Sequence, residues 1–372
     1  MAPSLSAHFL SEAEVIYPPS HKSKPVTVPE YEPVYSTSEK RTPSTNSYRW
    51  KIVWRNLIAF VYLHASALYG LYLILTFNQV QLSTVFTLLI LGFISAEGVT
   101  AGAHRLWSHR TYSAKWPLRL LLMLAQTMAF QNHIYEWVRD HRVHHKFTDE
   151  DADPHNSRRG FFFSHMGWLL VRKHPDVKLR GRTVDMSDLD KDWVVMFQMK
   201  YYLILMPVCC FLIPALIPWY FFNETWSNSW YVSAMLRYTL SLHFTWLVNS
   251  AAHIWGVKPY DKNISPTENP SVSVLTFGEG WHNYHHTFPW DYKAAELGNY
   301  SLNLTTGVID MFARIGWAYD LKTTDPELIR KRSTRTGDGT RQEGHGHSHE
   351  NQLYGWNDKD MTIEDRMMPK IK

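Results

Sequence analysis

The sequence has almost no cysteine and no long run of basic residues. Its only two cysteines, Cys209 and Cys210, are adjacent within an apolar run. Adjacent cysteines cannot crosslink a small domain, so a disulfide framework is excluded, and a cysteine-type structural zinc site is equally unsupported. The formal net charge is only +4. The chain therefore offers nothing that indicates a nucleic-acid partner.

Charge is also missing from the two most apolar stretches of the chain. Residues 56–104 contain no lysine or arginine, and Glu97 is their only carboxylate. In residues 201–236 the only charged residue is Glu224. Each region has room for two helices of the ~20 residues that cross a bilayer core. We therefore predict an all-α membrane protein with four transmembrane helices in two hairpins, at about residues 57–77, 81–101, 201–222 and 229–250.

Lysine and arginine are distributed unevenly around these predicted spans. Residues 105–200 carry 16 of them, seven precede the first span, and the two short turns carry none. Positive residues favour the cytosolic side, so both termini and the middle segment are predicted to be cytosolic. A short apolar stretch at residues 117–130 predicts a helix beneath or on the membrane face.

The two ends of the chain are polar. Residues 1–50 are rich in Ser, Pro, Thr and Lys and predict a disordered cytosolic N-terminus without a cleavable signal peptide. Residues 321–372 predict a cytosolic polar tail, which leaves residues 51–320 as the membrane domain.

Histidine is abundant, and most of the 20 histidines fall in short motifs next to predicted membrane boundaries. Given the predicted topology, all of these motifs lie at the cytosolic face, where distant segments can meet. The motifs are HRLWSH with His104 and His109, HRVHH with His141, His144 and His145, NSAAH with Asn249 and His253, and HNYHH with His282, His285 and His286.

The spacing within the motifs favours metal binding. HxxHH occurs twice and is expected to present three imidazoles to one point, because i, i+3 and i+4 share a helix face. His104 and His109 are roughly 140° apart on an ideal α-helix and need a helix end or two metals. A lone histidine is more often structural, but so many neutral imidazoles on one face indicate metal ligands. Nine histidines suit two ions, and nitrogen ligands suit zinc, copper, nickel or iron.

These motifs and their surroundings resemble the membrane fatty acyl-CoA desaturases of the stearoyl-CoA desaturase type. Matching segments include TAGAHRLWSHR, YEWVRDHRVHHKF, DADPHNSRRGFFFSHMGWLLVRKHP, TWLVNSAAH and GEGWHNYHHTFPWDY, within residues 54–320. The tail segments RTGDGT and GWNDKD are similar to those of insect members.

The resemblance implies a di-iron centre held by a cytosolic helical cap. Such an enzyme uses O2, with electrons from cytochrome b5 and its NADH-dependent reductase, to introduce a double bond into a saturated long-chain fatty acyl-CoA. By family default the bond is cis and delta-9, with another position such as delta-11 as the alternative. The family also implies a multi-pass protein of the endoplasmic reticulum membrane.

The resemblance further implies roles for individual residues. Asn249 is implied to reach iron through a water molecule, and Trp137 and Trp246 to form tunnel walls. Glu136 and Asp140 are expected to accept hydrogen bonds from ligand imidazoles, although Glu136 could equally be a surface charge of a helix. The implied iron ligands are His104, His109, His141, His144, His145, His253, His282, His285 and His286. The implied CoA contacts are Asn56, Asn132, Arg139, Asp140, Arg172 and Lys173. The basic pair Arg172 and Lys173 could equally be solvated or contact anionic lipid.

Gly92 and Ala96 occupy the second predicted span, where the acyl tunnel of the family ends. Mammalian members have a tyrosine at the position that matches Gly92, so a deeper tunnel is expected here. The alternative is small-residue packing between helices.

Three other interpretations remain open on the residues alone. A membrane hydroxylase with similar histidine motifs would release a hydroxylated product. A metal transporter would place polar ligands near the bilayer midplane, where only His64, Glu97, Arg237 and His243 are expected. A soluble ferritin-like protein needs two Glu-x-x-His motifs, and only Glu279-x-x-His282 is present. His64 and His243 are instead predicted to hydrogen-bond across helices.

Overall fold

The computed structural model describes residues 49–76, 80–296 and 300–341. This part of the chain is mainly helical, with one short strand pair and three 3₁₀ turns, at Ser157–Arg159, Gly167–Leu169 and Tyr300–Leu302. The helices are α1 (Trp54–Leu75), α2 (Leu82–Ser108), α3 (Trp116–Ala129), α4 (Ile134–Lys146), α5 (Phe161–His165), α6 (Pro175–Gly181), α7 (Ser187–Asp190), α8 (Trp193–Phe221), α9 (residues 226–249), α10 (Ala251–Ile254), α11 (Pro270–Leu275), α12 (His282–Thr287), α13 (Leu304–Arg314) and α14 (Pro326–Thr336). Strands β1 (Ser113–Ala114) and β2 (Ala318–Tyr319) pair antiparallel, with Ser113 opposite Tyr319.

Among the described residues, α1, α2 and α8 are long and apolar enough to cross a membrane. The first three predicted spans are thereby supported. The fourth lies within α9, which is helical throughout but carries Arg237 and His243 and is not among these three. The predicted N-terminus falls almost entirely outside the described residues, as do residues 77–79 of the first turn and residues 342–372 of the tail.

Two of the helices extend beyond their predicted bounds. Helix α2 continues to Ser108 rather than ending near residue 101. Helix α8 begins at Trp193 rather than near residue 201, because the Asp192 carboxylate accepts a hydrogen bond from the Val194 N–H at 3.0 Å and caps the helix. Composition located the apolar centre of each helix but not its ends.

Wider, π-helical turns interrupt the three longest helical runs near the site and in the membrane region. They occur at Gly98–Ser108 in α2, Val208–Leu212 in α8 and Ser229–Leu236 in α9. The turn in α8 follows Pro207, whose ring has no N–H to donate to the preceding turn. Helix α8 nevertheless continues through its prolines to Phe221.

The ends of the two hairpins remote from the histidines are tied together by Glu224. Its carboxylate accepts hydrogen bonds from the Gln81 N–H and the Thr84 hydroxyl, each at 2.8 Å, and from the Asn228 amide at 3.0 Å. The start of α2 is thus fixed to the turn between α8 and α9.

The shorter helices pack over the ends of α2, α8 and α9. The predicted short apolar helix is present as α3, which ends at Phe130 with φ 44°. Side chains of α2, α3, α4 and α8 form a buried core here, which includes Leu106, Leu118, Leu122, Met123, Ile134, Val138, Val194 and Val195. This core holds α4 against the end of α2 and so brings the first two histidine motifs together.

Candidate metal centre

Five of the predicted ligand histidines converge in one cluster, called here the first cluster. One ring nitrogen from each lies within 4.8 Å of all the others. Nε2 of His285 lies 2.9 Å from Nε2 of His104 and 3.0 Å from Nε2 of His145. Nε2 of His109 lies 2.8 Å from Nε2 of His141. The first cluster consists of His104, His109, His141, His145 and His285.

The other four histidines form the second cluster under the same 4.8 Å criterion. Nε2 of His282 lies 3.0 Å from Nε2 of His253 and 3.1 Å from Nε2 of His286. The remaining member, His144, has its ring centroid 5.0 Å from that of His253. Each cluster offers the imidazole donors that a transition metal prefers. The donor set therefore fits a metal site.

The two HxxHH motifs are each divided between the clusters. In α4, His144 belongs to the second cluster and its neighbour His145 to the first. In α12, His285 belongs to the first cluster, whereas His282 and His286 belong to the second. The expectation that each motif presents three imidazoles to one point is wrong, because consecutive residues point about 100° apart on a helix.

The π-helical end of α2 explains how His104 and His109 reach the same cluster. The His109 N–H donates to the His104 carbonyl at 3.1 Å, an i→i+5 bond that places one residue almost above the other. Their ring centroids lie 5.0 Å apart. The separation expected for an ideal α-helix does not apply, because this segment is wound more loosely.

Asn283 and Tyr284 lie between the ligand histidines of α12 and fix that helix through hydrogen bonds to residues outside the clusters. The Asn283 side chain accepts from the N–H groups of Tyr260 and Asp261 and donates to the carbonyls of Asp261 and Pro266. The Tyr284 hydroxyl donates to Asp291 at 2.8 Å. Both side chains are buried and contact residues outside the clusters.

Three buried carboxylates lie beside the outward-facing Nδ1 atoms of histidine ligands. Two are in contact with them, and the third lies farther away. Glu279 lies 2.8 Å from Nδ1 of His104, and its other oxygen accepts from Arg105. Asp153 lies 2.9 Å from Nδ1 of His144, and Asp149 lies 3.9 Å from Nδ1 of His253. Such carboxylates fix the orientation and raise the basicity of imidazole ligands.

Glu136 and Asp140, expected in that role, contact cations instead. Asp140 pairs with Arg139 and Lys173, and Glu136 lies 3.4 Å from Arg139. The sequence places Glu279 three residues before His282 and both aspartates in the acidic loop after α4. That proximity was the only signal for them, because their approach to the imidazoles depends on tertiary packing.

Burial sets the charge state of these groups. It lowers the pKa of His145, His282 and His286 well below the usual range, and repulsion from neighbouring imidazoles lowers it further. Burial alone raises the pKa of Glu279, but Arg105 and His104 reverse this and bring it to about 2. The site thus combines neutral imidazoles with ionised carboxylates, the forms that bind cations.

An apolar cavity, called the first cavity, leads away from the clusters between α2 and α9. It encloses about 1120 Å³, including its open mouth. His104, His141 and His282 lie at one end, and Gly92 and Arg237 line it farther down α2 and α9. The predicted residue Ala96 also lines this cavity.

A second, more polar cavity joins the first beside the clusters. It is lined by Asn132, Asp140, His155 and Trp246, among others. The two cavities share Gln131, Trp137, His141, Thr245 and Asn249. At this junction the Gln131 amide donates to the Thr245 hydroxyl at 2.9 Å and accepts from the Trp137 indole at 3.3 Å.

The structure brings some of the expected CoA contacts together and not others. Asn132 and Asp140 line the second cavity, and Lys173 pairs with Asp140. Arg139 also pairs with Asp140. Asn56 is buried and donates to the Leu169 carbonyl at 2.8 Å, while the Arg172 N–H donates to the Lys51 carbonyl. Neither Asn56 nor Arg172 lines the two cavities.

The predicted contact between histidines of different spans is confirmed. Nε2 of His64 lies 3.1 Å from Nε2 of His243, and His243 also contacts His165 at 2.9 Å. His155, which lies outside the histidine motifs, has its ring centroid 4.4 Å from that of His144 and its Nδ1 3.5 Å from Asp153. His64, His165 and His243 thus link different helices, whereas His144, Asp153 and His155 form a third group whose ligand atoms lie within 4.8 Å of one another.

Comparison with known proteins identifies the family. Residues 80–296 match the family described as Fatty acid desaturase. An acyl-CoA Delta-9 desaturase of Acheta domesticus is 64% identical over 318 residues, which are 86% of this chain and 85% of that protein. An acyl-CoA Delta(11) desaturase of Spodoptera littoralis is 58% identical over 298 residues, which are 80% and 87% of the two chains. Stearoyl-CoA desaturase of Homo sapiens is 54% identical over 315 residues, which are 84% and 85%. On the family match and these identities, the chain belongs to the fatty acid desaturase family.

Proposed function

We propose that the two histidine clusters hold a di-iron centre and that the chain introduces a cis double bond at the delta-9 position of a saturated long-chain fatty acyl-CoA. The activity is that of an acyl-CoA desaturase, an O2-dependent oxidoreductase, as in its relatives. The observation that carries the proposal is the meeting of both clusters with the first cavity, which is apolar and deep.

The chemistry of the substrate supports a redox-active metal. A methylene group has no acidic proton and no leaving group, so side-chain acids, bases and nucleophiles cannot oxidise it. When bound, two iron ions supply the oxidation in which two adjacent methylenes each lose one hydrogen while O2, two electrons and two protons form two waters. The nine histidines would hold the ions, with Asn249 beside them at the junction of the cavities.

The residues of the cavities would hold the chain and exclude water. The CoA group would lie toward the second cavity, near Asn132, Asp140 and Lys173, and the alkyl chain would fill the first cavity. The hydrogen-bonded Gln131, Thr245 and Trp137 line both cavities where these meet and would form a constriction there. Such a constriction would fix one pair of methylenes against the clusters, which supplies positional selectivity.

The remaining partners follow from the family. Electrons would come from cytochrome b5 and its NADH-dependent reductase, and the protein would reside in the endoplasmic reticulum membrane. The four helices α1, α2, α8 and α9 would cross it as two hairpins, with both termini and the short helices on the cytosolic side. Support comes from the excess of lysine and arginine between the hairpins.

Expression in a desaturase-deficient yeast tests the function. The chain is expected to restore growth without added unsaturated fatty acid and to give lipids with a double bond at carbon 9. A His285→Ala variant, which lacks a ligand of the first cluster, serves as the inactive control. Bonds at carbon 11 would instead assign the specificity of the Spodoptera relative, hydroxylated lipids would indicate a hydroxylase, and no new lipid at all would refute the proposal.

Gly92 and Ala96 are proposed to deepen the tunnel. A Cβ at Gly92 would meet only ordinary contact, so a larger side chain would extend into the first cavity. Gly92→Tyr is expected to lower turnover of 18-carbon relative to 14-carbon acyl-CoA by on the order of tenfold or more. An unchanged chain-length profile in competition assays would assign these small residues to helix packing instead.

A further inference from the structure

The far end of the first cavity contains a buried arginine. Arg237 on α9 is 1% exposed and lines this cavity. Gly92 lies 12 residues before His104 on α2, and Arg237 lies 12 residues before Asn249 on α9. Both residues therefore lie at a similar depth, roughly 18 Å or less from the clusters, since α2 and α9 run in the same direction toward them.

Arg237 and Gly92 lie next to each other at this end of the cavity. A Cβ built on Gly92 would lie 3.9 Å from Cγ of Arg237, and no other neighbour would come within 4 Å apart from adjacent residues and its own helix backbone. The aliphatic part of Arg237 therefore occupies the space opposite the missing side chain of Gly92.

The guanidinium group is anchored to two neighbouring helices. Nη2 donates to the Cys210 carbonyl of α8 at 2.7 Å, and Nη1 donates to the Ser95 hydroxyl of α2 at 3.4 Å. This three-helix attachment prevents the side chain from swinging aside. Among the described residues, the Nε–H group has no hydrogen-bond partner, and no carboxylate forms an ion pair with Arg237.

We propose that Arg237 forms the floor of the acyl cavity and sets the longest chain that the enzyme accepts. This inference rests on the proposed function. An alkyl terminus that reached the floor would meet the aliphatic part of Arg237, which the hydrogen bonds to Cys210 and Ser95 hold in place. Chain length is thus limited by a side chain that is fixed by hydrogen bonds to neighbouring helices.

Competition between acyl-CoAs of 16, 18, 20 and 22 carbons tests the role of Arg237 in the full-length enzyme. Arg237→Met removes the charge and the anchor, and is expected to raise kcat/KM for 20 carbons relative to 16 by on the order of tenfold. The adjacent Leu236→Met is the matched control, because Leu236 packs with Ala67 and Leu88 and does not line the cavity. Its chain-length ratio is expected to stay unchanged.

An active Arg237→Met enzyme with the wild-type chain-length ratio would overturn the inference. Failure of the proposed function looks different, because wild-type enzyme would then give no unsaturated product at any length. If Arg237→Met does not accumulate, Arg237→Lys and Gly92→Leu are combined in a double-mutant cycle. Non-additive effects on the chain-length ratio support contact across the floor, and additive effects contradict it.

Discussion

At the scale of single residues, the buried carboxylates of the site differ in how their charge is balanced. Glu279 is paired with Arg105 at 2.8 Å and lies against His104. Asp153 is fully buried and contacts only imidazole and backbone N–H groups among the described residues. The carboxylate beside the first cluster is therefore neutralised by a cation, while the one beside the second cluster is not.

Replacing Glu279 with glutamine should loosen the first cluster. The neutral amide cannot balance the positive charge of Arg105, and it is a weaker acceptor for the N–H at Nδ1 of His104. The His104 ring therefore loses orientation and basicity. We expect metal affinity to fall by on the order of 10- to 100-fold, measured as iron retained per protein during dialysis against a graded chelator. Glu327→Gln, on the exposed side of α14, is the control. Equal iron retention in the two variants would contradict the assigned role.

Glu268 is a buried acid whose effect on stability should depend on pH. It accepts the Tyr284 N–H at 2.7 Å, and burial raises its pKa to about 8 against an ordinary 4.5. Between these pH values the folded protein keeps a proton that the unfolded chain has released. The stability that Glu268 contributes is therefore fully present below pH 4.5 and is lost as pH rises toward 8.

Glu268→Gln imitates the protonated form at every pH. The variant should unfold at a higher temperature than wild type at pH 8, and the difference should shrink toward pH 5. Thermal unfolding in detergent at several pH values measures this. A difference that does not change with pH would show that Glu268 is ionised in the folded protein.

At the scale of elements, spacing predicted which histidines share a helix but not how the helices are wound. The apolar stretches located α1, α2, α8 and α9, since hydropathy depends on composition alone. The loose winding of α2 near His109 could not be predicted, because it arises from packing against α3 and α4. The division of each HxxHH motif between two clusters was missed because its adjacent histidines point about 100° apart and reach clusters that other helices complete.

Helix α12 is too short to be stable alone, so its position depends on Asn283. Asn283→Ala would leave four backbone groups near Tyr260 and Pro266 without a partner, at a cost of about 3 kcal/mol or more. We expect a lower unfolding temperature and faster loss of metal. Thr287→Ala, at the end of the same helix, removes a single hydrogen bond and should have a much smaller effect. Similar losses in both variants would rule out a special role for Asn283.

At the scale of the whole molecule, the two native cysteines make the orientation easy to test. Cys209 and Cys210 are both buried, so an introduced cysteine should be the main site of labelling. Arg330→Cys on α14 should react with a membrane-impermeant maleimide once the plasma membrane alone is permeabilised. Trp226→Cys, at the opposite ends of the hairpins, should react only after the internal membranes are also opened. The reverse order would contradict the predicted topology.

The nine histidines come from α2, α4, α10 and α12 and the residue that follows α2. The last of them is synthesised after all four long helices, so neither cluster can be complete while the chain is still being inserted. Metal can therefore stabilise the assembled protein but cannot guide its early folding, and its binding energy is added to that of the finished fold. In cells short of metal, the metal-free chain would be degraded more readily. Such cells would then hold less of this protein, in addition to any loss of catalytic activity.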